Sequence, residues 1–211
     1  MARMPIAVCL LLLLALPAAA QVPLAKISGE VMAVDGANLE LKPVSGQPLA
    51  VKLAEPVRIS ARSLLDHGAI REGTYLGTTA TPQPDGTLLA SEVHVFAESM
   101  RGTGEGHRPM ANEPGSTMTN ATVAGLSKGG ATVAAVAPTQ AVGGLRMTLR
   151  YPGGEKVVVV PDDVPIVLTE PGDRRLLVRG AHVVAYVAKQ PDGSLLAERM
   201  NVGKNGYVPL Q

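Results

Sequence analysis

Gln83-Pro84-Asp85-Gly86-Thr87-Leu88-Leu89-Ala90 recurs 107 residues later as Gln190-Pro191-Asp192-Gly193-Ser194-Leu195-Leu196-Ala197, with Ser194 in place of Thr87 as the one change. Each copy is a turn with a mechanism: Pro presets φ for the second turn position, Asp tolerates the next, and Gly takes positive φ. Each joins one apolar, alternating run to another, which is the signature of a β-hairpin. A turn this specific, used twice with the same flanks, predicts a tandem pair of small β units.

The segments around the first copy give the order of one unit. Ile27 to Val34 alternates apolar and polar and meets Asp35-Gly36, a hairpin turn answered by Asn38 to Lys42. Ser45-Gly46 turns into Leu49 to Leu53, and Val57 to Ile59 is a further extended piece. Ser63 to His67 reads as one helical turn capped by Ser63. Thr74 to Thr81 and Thr87 to Phe96 flank the Pro-Asp-Gly turn. Three strands, a short helical insert and two more strands is the order of an OB-like barrel.

The second unit follows the same plan. Glu55 to Ile59 aligns with Asp162 to Ile166, Gly73 with Gly180, and Leu41 and Gly46 with Leu149 and Gly154 after a one-residue insertion. Its first strand is either Thr119 to Leu126 or Ala131 to Ala137, with an additional hairpin or bulging loop in the region. In the final strands Leu89/Leu196, Val93/Met200 and Val95/Val202 share a face, which predicts core. The predicted organisation is therefore a signal peptide (1–20), a first OB-like β-barrel unit (21–98), a Gly/Pro-rich linker (99–117) and a second OB-like unit (118–211). The tail from Gly203 is expected to lie across the second unit. The fold class is all-β.

The first twenty residues stand apart from the fold. Arg3 precedes an unbroken apolar run from Ile6 to Leu16, Pro17 ends it, and Ala18-Ala19-Ala20 offers small residues for cleavage. A run of that length falls short of the ~20 residues a spanning helix needs. The expected location is periplasmic or secreted, with no membrane span after cleavage. Cleavage removes Cys9, the one cysteine, so no disulfide is available. It also removes Arg3, leaving as many basic as acidic residues. That balance gives no electrostatic footprint for nucleic acid. Five aromatic residues and no Trp argue against base-stacking or sugar-stacking platforms.

Two motifs resemble catalytic or nucleotide sites without their context. Gly125-Leu126-Ser127-Lys128-Gly129 matches a nucleophile elbow, but Gly130 follows and no βα units surround it. Gly102-Thr103-Gly104-Glu105-Gly106 lacks both a Walker Lys and a helix start after it. No enzymatic activity is expected, and no catalytic residue is assigned.

Residues present in one unit and absent from the other are free of the fold's demands, and function is best sought among them. His94 aligns with Asn201 and points away from the predicted core face. With Glu105, His107 and Met110 it makes an alternative metal set, imidazole and carboxylate for Zn or Cu, thioether for Cu(I). The primary reading requires no cofactor. It takes Arg101, Glu105, His107 and Arg108 as a ligand or partner surface, on a stretch whose glycines allow close backbone approach. The structural alternative has Arg101 and Arg108 clamping the linker across the two barrels. The partner is an unspecified periplasmic protein or small ligand.

The block Val93-His94-Val95-Phe96-Ala97-Glu98-Ser99-Met100-Arg101-Gly102-Thr103-Gly104-Glu105-Gly106-His107-Arg108-Pro109, followed by Gly115 to Asn120, resembles secreted bacterial proteins carrying the DUF5666 type of domain. The Pro-Asp-Gly hairpins and Gly154-Glu155-Lys156-Val157-Val158-Val159 fit the same group. The resemblance implies a small β-barrel domain of unknown function in an exported protein. If residues 1–20 are a cleaved signal, N-terminal sequencing of the exported protein begins at Gln21; a chain that retains Met1 after export contradicts the reading.

Overall fold

The computed structural model describes residues 24–44, 46–110, 113–128, 131–133, 140–142 and 144–209. The stretch 1–20 lies outside them. Among the described residues there is no α-helix; fourteen strands and three short 3-10 turns make up the regular structure. The first half of the chain supplies β1 (Ala25–Asp35), β2 (Asn38–Pro43), β3 (Leu49–Leu65), β4 (Tyr75–Pro82) and β5 (Leu88–Phe96). After β6 (Gly106–Pro109) come β7 (Thr117–Lys128), β8 (Ala131–Val133), β9 (Gln140–Val142), β10 (Gly144–Tyr151), β11 (Gly154–Pro161), β12 (Ile166–Gly172), β13 (His182–Lys189) and β14 (Leu195–Gly203).

The pairing closes two five-stranded rings, and neither is made from one half of the chain. The lower ring runs β1-β2-β3-β14-β13 and back to β1, with β3 and β14 parallel. The upper ring runs β7-β10-β11-β5-β4 and back to β7, with β11 and β5 parallel. Each has the OB arrangement of three sequential strands closed by a hairpin, but the hairpin comes from the other half. Residues 21–98 and 118–211 each contribute to both rings, which corrects the expectation that each unit closes on itself. β12 joins the rings, parallel to β5 on one side and antiparallel to β3 on the other.

Two separate cores follow. Leu76, Val93, Val123, Met147, Leu149 and Val160 fill the upper ring. Val31, Leu39, Leu41, Val183, Met200 and Val202 fill the lower. These are aliphatic residues on alternate positions of their strands, as a half-buried sheet requires.

The two hairpins repeat atom by atom. Gln83 N–H donates to the Thr87 carbonyl at 2.8 Å and Gln190 N–H to the Ser194 carbonyl at 2.8 Å. Asp85 Oδ1 accepts from Thr87 N and Oγ1, and Asp192 Oδ1 accepts from Ser194 N and Oγ. Gly86 and Gly193 take φ of 81° and 84°, open to glycine at no steric cost. Both hairpins also carry a bulge, one residue shifting the register at Thr79/Ala80 and at Tyr186/Val187. The bulge reverses the alternation beyond it. Val93/Met200 and Val95/Val202 face the cores as expected, while Leu89 and Leu196 turn away and Leu88, Ala90 and Ala197 take the inward positions.

Other expectations change in detail. Leu49 to Leu53 and Val57 to Ile59 are one continuous strand, β3. The 3-10 turn is at His67–Ala69, after an Asp66 that makes no side-chain cap, and not at Ser63. Thr119 to Leu126 lies in β7 and takes the first-strand position of its unit; β8 and β9 form the additional hairpin, and Ala134 to Ala137 fall outside the described residues. Ser127 sits within β7 opposite Arg146. The tail bonds β3, through Lys204 N–H to the Arg62 carbonyl at 2.7 Å, and Lys204 Nζ reaches Glu170 at 2.7 Å. It thus packs on both halves.

Between the rings the outward faces of β5, β12, β3 and β14 form a third, mixed layer. Val167 is fully buried there, as is Val184 of β13 opposite Asn201, although neither belongs to a ring core, and Thr169, Asn201 and His94 are buried in the same layer. His94 does face away from the core as expected, but it is enclosed: its Nε2 lies 2.9 Å from Glu92. Burial raises the Glu92 carboxyl, yet the His94 hydrogen bond and the charges of His94, Arg62 and Lys26 together hold it below its ordinary value. A carboxyl lowered on folding contributes stability above its unfolded pKa, and that contribution disappears as pH falls through the folded value. Glu92→Gln is expected to cost about 2 kcal/mol at neutral pH. The deficit should shrink as pH falls below the ordinary carboxylate range and through the lowered folded pKa of Glu92. Urea unfolding of the two proteins across that range measures it, and a deficit constant with pH would remove the ion pair as its cause.

Candidate functional site

The chain between the halves is not the structureless linker that its glycines and prolines suggest. From β5 it makes a 3-10 turn over Glu98–Met100, two tight turns through Gly102 and Gly104, and then β6, which pairs with β7. β6 runs beside the first part of β7, His107 opposite Thr119 and Arg108 opposite Met118. β10 takes over along the later part of the same edge, with Arg150 opposite Thr122. The connector therefore completes the wall of the upper ring.

Arg101 fixes the start of this segment. Its Nε and Nη2 grip the Glu98 carboxylate at 2.5 and 2.8 Å, Nη2 also donates to the Gly73 carbonyl at 2.9 Å, and Nη1 to Thr122 Oγ1 at 3.3 Å. The guanidinium lies 5.6 Å from the centre of the Tyr75 ring. The Glu98 carboxyl is pulled below its ordinary value chiefly by the hydrogen bonds from Arg101. This is the two-pronged geometry that makes Arg a positioning residue.

The Thr103 carbonyl is held from below by two side chains of the barrel. Tyr75 Oη donates to it at 3.1 Å and Asn120 Nδ2 at 3.0 Å. Tyr75 is buried against Phe96, ring centres 5.6 Å apart, and burial followed by the Glu105 charge pushes its phenol up, so it remains a donor. Asn120 reaches Thr103 because residue 77 is glycine: a Cβ there would run into Asn120 Oδ1. Further along, Arg108 Nη1 donates to the Gly104 carbonyl at 2.8 Å, and His107 Nδ1 meets Thr119 Oγ1 at 2.8 Å. The His107 ring stacks on Tyr151, centres 6.3 Å apart. Burial, then the Lys156 charge, lowers its pKa, so the imidazole is neutral at physiological pH.

Beside this clamp opens a cleft of about 470 Å³ lined by Glu105, Thr122, Ala124, Arg150, Tyr151 and Pro152. The lining carries the Glu105 carboxylate, the Arg150 guanidinium, which reaches Glu155 only at 3.5 Å, and the Tyr151 ring, which stacks on His107. Opposed charges flanking an apolar surface can orient a polar ligand and exclude water beneath it.

Arg101, Glu105, His107 and Arg108 thus come together on one rigid segment. Glu105 lines the cleft, His107 supports its floor, and the two arginines hold the backbone. The clamp expected across the two barrels is corrected: Glu98, Gly73 and Thr122, the partners of Arg101, all lie on or next to strands of the upper ring. Of the alternative metal set, Glu105 and His107 flank Gly106, whereas His94 lies in the layer between the rings with Nε2 on Glu92. Among the described residues no three His, Cys, Asp or Glu side chains group as a metal would need.

Tyr75, Asn120, Arg150 and Tyr151 were not picked out from the sequence. A signal existed for two of them: Tyr75 corresponds to His182 in the repeated hairpin, and Asn120 stands opposite Gly77 where Ser28 stands opposite Val184. Both are departures from the repeat. Arg150 and Tyr151 carry no such mark.

No protein-family model matches the chain, and neither a curated protein nor a solved structure is similar to it.

If Tyr75 and Asn120 hold the loop, Tyr75→Phe loses about 1 kcal/mol of stability. Amide exchange at Thr103, Gly104 and Glu105 should then rise by about tenfold or less, while the β13–β14 amides stay unchanged. Equal loosening of both regions would mean that Tyr75 supports the whole fold and not the loop.

Proposed function

We propose that this chain is an exported, non-enzymatic binding module whose contact surface is the cleft between the 98–108 segment and the β7–β10 wall. The observation that carries the reading is the clamp itself. Four side chains from three places in the chain, Arg101, Tyr75, Asn120 and Arg108, fix a loop whose Glu105 lines the same cleft as Arg150. A loop that only connected two halves would not require such support, whereas a recognition loop gains affinity from being rigid before its ligand arrives. Export rests on the residues of 1–20. The resemblance to DUF5666-type secreted proteins implies the same export, and the repeated hairpins support descent of the two halves from one duplicated module.

The chemistry of the cleft selects a polar ligand or peptide segment that presents a cation to Glu105 and an anion to Arg150, with an apolar or aromatic body over Tyr151. A displayed library of short peptides selected on the whole protein tests this. Sequences carrying both charges around an aromatic residue should be enriched, and their binding should fall at least about tenfold in Arg150→Glu, the order of one charge-assisted hydrogen bond. Lys52→Glu, on the lower ring, should leave it unchanged. Enriched peptides that bind Arg150→Glu and Glu105→Gln as well as the native protein would take the cleft out of the function.

A further inference from the structure

We infer that the two halves of this chain, 24–98 and 113–209, are an obligate complementary pair: each is completed only by the other, and the axis position, Arg62 opposite Thr169, keeps the first half from pairing with itself. The first half alone holds β1-β2-β3 with no strand to stand between β3 and β1, and a β4–β5 hairpin with no ring to enter. Every such vacancy is filled from the second half. β4 pairs β7, β5 pairs β11 and β12, β13 pairs β1, and β14 pairs β3. The partner that fits the exchange surface of either half is thus a chain of the same module type, which contributes a hairpin and accepts one.

The pairing obeys an approximate two-fold axis. Val93 is parallel to Ile166 on one side and Met200 to Ile59 on the other; Phe96 stands by Thr169 as Gly203 stands by Arg62. In the central antiparallel pair Ile59 lies opposite Gly172 and Leu65 opposite Ile166, so Arg62 and Thr169 face each other at the axis itself. A residue on that axis would meet its own copy if a half paired with itself. For the first half this sets Arg62 against Arg62, directly opposite on one face, in a layer where Thr169 is only 4 % exposed. Like charges so placed oppose association, which is how an interface rejects a wrong partner. The native combination sets a small hydroxyl there, and the Arg62 charge acts on Glu92 across the layer.

The test uses the full chain with a specific protease site inserted after Glu113, in the exposed turn before β7. After complete cleavage, the halves are expected to elute together at the mass of the intact chain and to separate only in denaturant. The uncut protein should unfold in one transition. Two folded bodies of about half the mass, separating in native buffer, would overturn the pairing. The axis position is read with Thr169→Arg, which recreates the self-paired charge, beside Thr169→Met, which adds similar bulk without it. The Arg variant should melt at least about 4 °C below the Met variant, and its cleaved halves should come apart at concentrations where the Met variant's hold. Equal melting of the two variants would overturn the role given to that position.

Discussion

Everything else in the molecule depends on parallel backbone pairing between the halves, β5 with β11 and β12, and β14 with β3. A five-stranded ring of OB type has one parallel contact, where the last strand of its hairpin meets the third strand. In a self-contained barrel the chain makes that contact by folding back on its own unit. Here the Tyr75–Phe96 hairpin crosses to the other unit and the His182–Gly203 hairpin crosses back. Each parallel contact therefore carries the cohesion between halves as well as the closure of a ring. The hydrophobic cores are consequences of this exchange, since Leu88, Val93 and Val95 fill a cavity walled by Val123, Met147 and Val160.

The exchange also explains the segment that joins the halves. A hairpin that leaves its own unit ends in the other ring, one strand away from β7, so the chain turns at Glu98 and travels back along β7 before entering it. Travelling along β7 means pairing with it, which is what β6 does over Gly106–Pro109. The positive φ of Gly102, Gly104 and Gly106 serves this reversal. The cleft is formed where the start of β6 meets the end of β10 along β7. A site at that junction is a by-product of connectivity, and Arg101 and Tyr75 make it a fixed one.

The local grammar of the fold was legible and its partnership was not. Turn chemistry identified both hairpins down to the glycine that takes positive φ, and alternation identified most strands. What failed lay at longer range. A one-residue bulge moved Leu89 and Leu196 off the face their spacing assigned to them. The connector's short strand had no alternation to reveal it, because its four residues take their register from β7. The exchange left no trace in either unit, since the order of strands is the same whether a hairpin closes its own ring or its neighbour's. Arg101, Glu105, His107 and Arg108 were visible as a cluster because glycines isolate them. Arg150 and Tyr151 were hidden at the end of an ordinary strand.

Pseudo-symmetry converts those failures into a way of locating specialisation. Where two related halves must satisfy the same backbone plan, identical residues report the plan, as Gly86/Gly193 and Asp85/Asp192 do. Differences gather in two places. One is the layer between the rings, where Arg62 faces Thr169, Glu92 corresponds to Arg199 and His94 to Asn201. The other is the loop floor, where Tyr75 and Asn120 replace His182 and Ser28. Neither place exists in a single barrel. Both are created only by the exchange of strands between the halves, so the residues found there meet constraints that a single closed barrel would not impose. Divergence at the axis separates the halves chemically; divergence under the loop gives one ring a rigid rim that the other lacks.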